Sequence, residues 1–152
     1  MLELLMNYLI MCIGNREGGD DAIGPYIADK LKTFENEDFS VIDCDIVPEN
    51  YTSIVKRYKP KNLIIIDATK MSLSPGEIRI VPKEKIGSMH ISTHGIPLSV
   101  LIKYLEPYVE KIVLIGIEPK IFSGKISSSV KKSGDKLIEI IKNRRVREIG
   151  IF

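Results

Sequence analysis

Runs of apolar residues alternate along this chain with segments whose apolar residues recur at helical spacing. The runs predict five strands: Tyr8–Ile13, Phe39–Ile46, Asn62–Thr69, Glu77–Val81 and Lys111–Ile117. The amphipathic segments predict helices at about Asp21–Phe34, Asn50–Tyr58, Pro97–Leu105 and Ser128–Lys142. The segment Lys83–Gly95 has neither pattern and is expected to be a loop, and the basic tail Arg144–Phe152 is expected to be a solvated end.

The run Asn62–Thr69 holds four successive aliphatic residues without polar alternation, and Asp67 follows them. Burial on both faces is typical of a central parallel strand. In contrast, Glu77–Val81 alternates after a Pro75–Gly76 turn, which predicts an antiparallel edge strand. The order of elements predicts an α/β protein, a three-layer α/β/α sandwich with a mostly parallel five-stranded sheet.

We expect residues 1–152 to form a single domain, with residues 144–152 as a flexible or edge tail. Open α/β sheets bind ligands beyond the carboxyl ends of their strands, where the strand order reverses. If the first three strands lie in the order 2-1-3, the loop after strand 1 and the end of strand 3 lie side by side at the same edge of the sheet. That order would bring Asp21 and Asp67 together.

Composition narrows the functional classes. The formal net charge is +2 in 152 residues, and the basic residues are scattered, which argues against nucleic acid as a partner. No apolar run approaches the roughly 20 residues that span a bilayer, and Met1–Met6 lacks the flanks of a signal peptide. Cys12 and Cys44 fall inside predicted strands without metal-binding spacing, so we expect core packing in a reducing, cytoplasmic compartment.

Two adjacent acids stand where the glycine-rich loop after strand 1 enters a helix. They would repel a phosphate and attract a cation. We interpret Asp20 as a helix cap or a residue behind the metal ligands, and Asp21 as a ligand, although spacing alone does not separate them. Asp67, at the end of an aliphatic strand, is expected to act at the crevice rather than to form a turn.

His90 and His94 are four residues apart, but the glutamate of an HExxH motif is missing, and Gly95 with Pro97 argues against a helix there. His94 precedes a helix start and is the better candidate ligand. Two carboxylates and one imidazole suit zinc, nickel, iron or manganese, and three protein ligands leave positions open for a substrate.

Other chemistries find less support in the sequence. There is no GxSxG elbow, no P-loop and no GxGxxG pattern, so a serine hydrolase or a nucleotide-binding domain is disfavoured. A metal-dependent hydrolase that keeps its own zinc and a non-catalytic nickel-handling module remain as alternatives.

Four motifs in register resemble the hydrogenase maturation endopeptidases. They are Gly14-Asn15 with Gly19-Asp20-Asp21-Ala22-Ile23-Gly24-Pro25, then Ile66-Asp67-Ala68, then Ser92-Thr93-His94-Gly95-Ile96-Pro97-Leu98, and finally Ile115-Gly116-Ile117-Glu118-Pro119. The Thr-His-x-x-Pro-Leu sequence around His94 is most similar to the hydrogenase-3 branch. Arg16-Glu17 departs from the family's more aliphatic loop.

The resemblance implies a cytoplasmic endopeptidase that removes the C-terminal extension from the precursor of a [NiFe] hydrogenase large subunit. Nickel in the precursor would be the recognition element, and Asp21, Asp67 and His94 would contact it; zinc or another divalent metal could occupy the site in vitro. The metal could then polarise the scissile carbonyl or activate the attacking water, or Asp67 could act as the general base.

Overall fold

The fold is taken from a computed structural model, which describes residues 6–87 and 95–152. Its strands are β1 (Tyr8–Cys12), β2 (Phe39–Asp43), β3 (Asn62–Ala68), β4 (Ile78–Val81) and β5 (Lys111–Ile117). Its α-helices are α1 (Ile23–Leu31), α2 (Thr52–Tyr58), α3 (Lys83–Ile86), α4 (Leu98–Leu105) and α5 (Ser128–Lys142). Short 3-10 turns extend several of these helices, among them Gly19–Ala22 before α1 and Pro48–Tyr51 before α2.

The five strands form one sheet in the order β2-β1-β3-β5-β4. The first four pair in parallel, and β4 runs antiparallel to β5 at the edge. The predicted sandwich, the local order 2-1-3 and the antiparallel edge strand are therefore confirmed. Parallel strands end at the same edge of a sheet, so the loops after β1, β2, β3 and β5 lie together at its carboxyl edge.

Alternation along the strands divides the core into two layers. Ile10, Ile64 and Ile66 pack against α1 and α5 on one face of the sheet. Leu9, Met11, Leu63 and Ile65 pack against α2, α3 and α4 on the other. The run in β3 is aliphatic throughout because both of its faces are covered by helices.

Two local predictions need correction. The segment predicted as the loop Lys83–Gly95 contains the short helix α3, which buries Ile86 against the sheet. Strand β2 ends at Asp43, so Cys44 is buried just beyond the strand and not within it. Burial is the largest cause that raises the pKa of the Cys44 thiol, and the negative charges of Asp43 and Glu49 raise it further. A buried thiol of this kind fits a packing role.

The C-terminal tail is not a solvated end. Ile80 N donates to Gly150 O at 2.8 Å and Phe152 N donates to Ile80 O at 2.9 Å, so the tail pairs with the outer side of β4. Ile149 is buried in the core. Because the tail extends the sheet at β4, it shields an edge that would otherwise be open to other strands.

Among residues 6–87 and 95–152, no helix combines the length and the apolar character that crossing a bilayer requires.

Candidate active site

Asp21 lies in the loop that follows β1, folded back against the strand end. Gly14 permits this fold, because a Cβ there would sit 1.9 Å from the Asp21 carbonyl oxygen. Asn15 N donates to Asp21 Oδ2 at 2.9 Å, and the residue is only 6% exposed. Its second oxygen, Oδ1, is buried and accepts no hydrogen bond from the residues that the structure describes. One oxygen is thus anchored, and the other is available to a ligand.

Asp67 lies at the carboxyl end of β3, directly beside β1. Ile13 N donates to Ile66 O at 2.9 Å, which extends the β1–β3 pairing to this point. The alternation of β3 directs Asp67 to the same face as Leu63 and Ile65, the face covered by α2 and α4. The side chain is completely buried. The 3-10 turn that carries Asp21 contacts β3, so both acids lie at the carboxyl edge of the sheet.

His94 and His90 lie outside the described residues, and their predicted roles stay predictions. The described chain resumes at Gly95, and α4 begins at Leu98 after Pro97, as the sequence predicted. Gly95 lies over Glu49, whose Oε1 would be 3.1 Å from a Cβ on that glycine. Glu49 Oε2 is buried without a hydrogen-bond partner among residues 6–87 and 95–152. Glu49 has no distinctive signal in the sequence, because it lies between the predicted strand Phe39–Ile46 and the predicted helix Asn50–Tyr58.

We expect His94→Ala to lower precursor cleavage by about 10²-fold or more, whereas His90→Ala should change it by less than about threefold. The reason is position: His94 lies four residues before α4 begins at Leu98, and His90 lies four residues earlier still. The initial rate of cleavage of nickel-loaded precursor checks both variants side by side. Equal losses in the two variants would contradict the choice of His94.

Asp20 was predicted to be a helix cap or a residue behind the metal ligands, and the cap is wrong. Its carboxylate makes no cap to its own helix. It binds instead the loop after β5, about 100 residues away in the chain. Lys120 N and Ile121 N donate to Oδ2 at 2.7 and 2.9 Å, and Ser127 N donates to Oδ1 at 2.6 Å. The Ser127 hydroxyl is 2.9 Å from both oxygens.

The environment of Asp20 keeps it ionised. Burial would raise the pKa of this carboxyl, but the backbone hydrogen bonds from Ser127, Ile121 and Lys120 outweigh burial and hold the pKa below its ordinary 3.8. A fully buried carboxylate that accepts several N–H groups joins two loops of the candidate site. Asp20 therefore positions the loop after β5 against the turn that carries Asp21.

Removing this carboxylate is expected to destabilise the fold. Asp20→Ala leaves three backbone N–H groups without the buried carboxylate that accepts them, and we expect a loss of about 3 kcal/mol in the free energy of unfolding. Urea denaturation measures the loss. Asp29→Ala is the control, because Asp29 is half exposed and pairs with Arg16 at the surface, where such a pair contributes less than about 1 kcal/mol. Equal losses would show that the Asp20 network contributes no more than this surface ion pair.

Glu118 is a second buried acid whose role the sequence did not reveal. Its Oε1 accepts Met71 N at 2.6 Å and Leu73 N at 3.0 Å, in the loop that follows Asp67. Its backbone oxygen accepts Gly76 N at 2.8 Å. Glu118, which directly follows β5, thus holds the loop after β3 in place. In the sequence this residue appears only as part of the motif Ile115–Pro119, which has no assigned role there.

The residues present fit a metal only in part. Among the described residues, no three His, Cys, Asp or Glu side chains form a group that could hold an ion. Asp21 and Asp67 supply the oxygen donors, and the third predicted ligand, His94, is outside the described ranges.

The comparisons with known proteins decide the family. The sequence profile described as hydrogenase maturation protease matches residues 25–144. The chain is 38% identical over 117 residues to the hydrogenase 3 maturation protease of Escherichia coli K12, covering 76% of this chain and 75% of the relative. This chain belongs to the hydrogenase maturation protease family. It is therefore a peptidase, and its resemblance to the hydrogenase-3 branch is confirmed.

Solved structures of hydrogenase maturation proteases share the fold over almost the whole chain. The solution structure of the endopeptidase HycI from Escherichia coli superposes with a TM-score of 0.87 at 31% identity, covering 96% of both chains. The crystal structure of the [NiFe] hydrogenase maturation protease HycI from Thermococcus kodakarensis gives 0.83 at 30% identity, covering 92% of both. The mixed five-stranded sheet is thus the fold of this protease family.

Proposed function

We propose that this maturation protease removes the C-terminal extension from the precursor of a [NiFe] hydrogenase large subunit, and that nickel carried by the precursor docks the scissile bond. The observation that carries the proposal is the pair of buried carboxylates at the carboxyl edge, with Asp21 Oδ1 left without a partner among the described residues. A buried carboxylate oxygen without a partner is costly, and coordination to a cation offsets that cost.

The donor set supports nickel as the substrate's ion. Asp21 offers an oxygen from the turn before α1, Asp67 offers oxygens from the carboxyl end of β3, and His94 would add an imidazole nitrogen. Such a mixed set binds divalent transition metals, so zinc or another divalent ion could occupy the same position in vitro. Three protein ligands leave room for the ligands that the precursor provides.

In this proposal the residues act by position. The hydrogen bond from Asn15 N orients Asp21, and Asp67 is held in place near the end of strand β3. The two carboxylates orient the ion and with it the bond beside it. Holding the scissile bond next to a Lewis acid and a potential base lowers the barrier to its hydrolysis through proximity. A precursor without the ion would lack the anchor, so docking also provides specificity.

Two further parts of the proposal follow from the same chemistry. The partner is the precursor polypeptide. The compartment is the cytoplasm, since Cys12 and Cys44 are both free and buried, which fits a reducing environment.

Incubation of the purified protein with nickel-loaded precursor tests the reaction. We expect the intact mass of the precursor to fall by the mass of its C-terminal extension, with the released peptide found in the same sample. An unchanged precursor mass would contradict the proposal.

Metal analysis of the purified protein distinguishes a self-contained metal hydrolase. We expect less than a stoichiometric amount of metal before the precursor is added, because the acids alone form an incomplete cage. A full equivalent of tightly held zinc together with cleavage of nickel-free substrates would favour that alternative.

A further inference from the structure

Large apolar side chains remain exposed at the carboxyl edge of the sheet, around the candidate site. Ile46 follows β2, Ile96 precedes α4, and Ile121 and Phe122 follow β5. Phe122 is 46% exposed and its neighbour Ile121 is 39% exposed. Exposed apolar residues that gather beside a site mark a surface for binding another molecule, whereas single ones need no explanation.

The segment 119–127, here named the Phe122 loop, is held firmly in place despite its exposure. Asp20 binds both ends of it through Lys120, Ile121 and Ser127. Asp20 N also donates to Ile121 O at 2.8 Å. Gly19 lies so close that a Cβ there would be 2.6 Å from Ser123 N. The loop is therefore preorganised on the turn that carries Asp21, one residue from a proposed ligand.

The Phe122 loop is apolar and basic. Its sequence, Pro-Lys-Ile-Phe-Ser-Gly-Lys-Ile-Ser, contains two lysines and no acid. Lys70, from the loop after β3, places its Nζ 5.0 Å from the centre of the Phe122 ring. Lys70, Lys120 and Lys125 are all exposed. Positive charge around an exposed aromatic ring favours a partner that offers an apolar side chain close to a carboxylate.

We infer that the Phe122 loop binds the polypeptide segment of the precursor that flanks the scissile bond, with an apolar side chain on Phe122 and Ile121 and a carboxylate near the lysines. The inference rests on the proposed function and deepens it, because it assigns substrate contacts outside the metal-binding residues. The loop's attachment to the Asp21 turn places this contact next to the bond that the ion would dock.

Phe122→Ala tests the inference against a closely matched control. Phe34 is 45% exposed and also carries a lysine over its ring, with Lys142 Nζ 4.0 Å from the centre. It follows α1 and precedes β2, so it lies at the opposite edge of the sheet. We expect Phe122→Ala to raise the KM for nickel-loaded precursor about tenfold with kcat nearly unchanged, and Phe34→Ala to change neither.

Three results would overturn the inference. The first is an equal KM in Phe122→Ala and Phe34→Ala, and the second is a loss confined to kcat. The third is a KM of Phe122→Leu that stays as high as that of Phe122→Ala, which would show that an apolar side chain does not restore binding. Circular dichroism and thermal melting of each variant separate a folding defect from a binding defect. If the wild type does not shorten the precursor at all, the proposed function itself fails; if it does and the two KM values agree, only the assignment of the loop fails.

The lysines provide an independent arm. The double variant K120Q/K125Q is expected to have a higher KM than the wild type. Its KM is also expected to rise less steeply with salt concentration. A salt dependence identical in the two proteins would remove the charged part of the inference.

Discussion

Asp67→Asn is expected to abolish maturation of the precursor, with a fall in kcat/KM of about 10³-fold, while the protein keeps its fold. Asparagine has the shape of aspartate but no negative charge, so it cannot serve as an anionic ligand or accept a proton from water. Asp67 is completely buried near the end of β3, directly after the aliphatic run Leu63–Ile66. Single-turnover cleavage of nickel-loaded precursor measures the loss, and thermal melting should show a Tm within about 4 °C of the wild type.

Glu118→Gln is the control, because we expect it to lower stability and to leave most of the activity. Glu118 is also a buried acid near this edge, but its Oε1 accepts the backbone N–H groups of Met71 and Leu73. We expect this variant to lose stability, by about 1–2 kcal/mol, and to keep most of its activity at a temperature where it is folded. A folded Asp67→Asn that still processes the precursor, or two variants with the same profile, would remove Asp67 from the mechanism.

The sheet could be predicted from the sequence because its physical signals are local. An unbroken aliphatic run such as that of β3 is compatible with burial on both faces, and the alternation before Val81 indicates an edge. The order 2-1-3, in contrast, has no local signal; the site prediction takes it as a condition, and the structure has this order. The position of Asp67 at the end of its strand could still be stated from the sequence alone.

The roles of Asp20 and Glu118 could not be predicted, because both depend on contacts between distant parts of the chain. An acid at a helix entrance has the same local sequence whether it caps its own helix or binds a loop 100 residues away. Asp20 does the second, since Lys120, Ile121 and Ser127 present three N–H groups to it. Tertiary hydrogen bonds outweigh local preference at such a position.

The solvated end predicted for the tail is wrong for a similar reason, whereas the alternative of an edge segment agrees with its pairing to β4. Its basic residues suggested solvation, but Ile149 is buried and Phe152 N bonds to the backbone of β4. Arg144 lies over the rings of Tyr8 and Phe39, with its guanidinium carbon 5.1 and 4.9 Å from their centres. A charged side chain that covers aromatic rings is indistinguishable, in sequence, from one that points into solvent.

Nickel in the precursor is expected to decide whether cleavage occurs. The protein contributes two carboxylates and, by prediction, one imidazole, which leaves coordination positions open to ligands from the substrate. A nickel-free precursor therefore has no anchor at the carboxyl edge, and we expect its cleavage to fall by at least about 10²-fold. This effect concerns the substrate, so it does not depend on any substitution that could disturb the fold.

The most direct test is a side-by-side cleavage assay of nickel-loaded and nickel-free precursor with the wild-type protein, read by intact mass. The account predicts complete removal of the extension from the loaded precursor and no detectable shortening of the nickel-free one over the same time. Cleavage of both at the same rate would contradict the claim that the buried acids act by docking the substrate's ion.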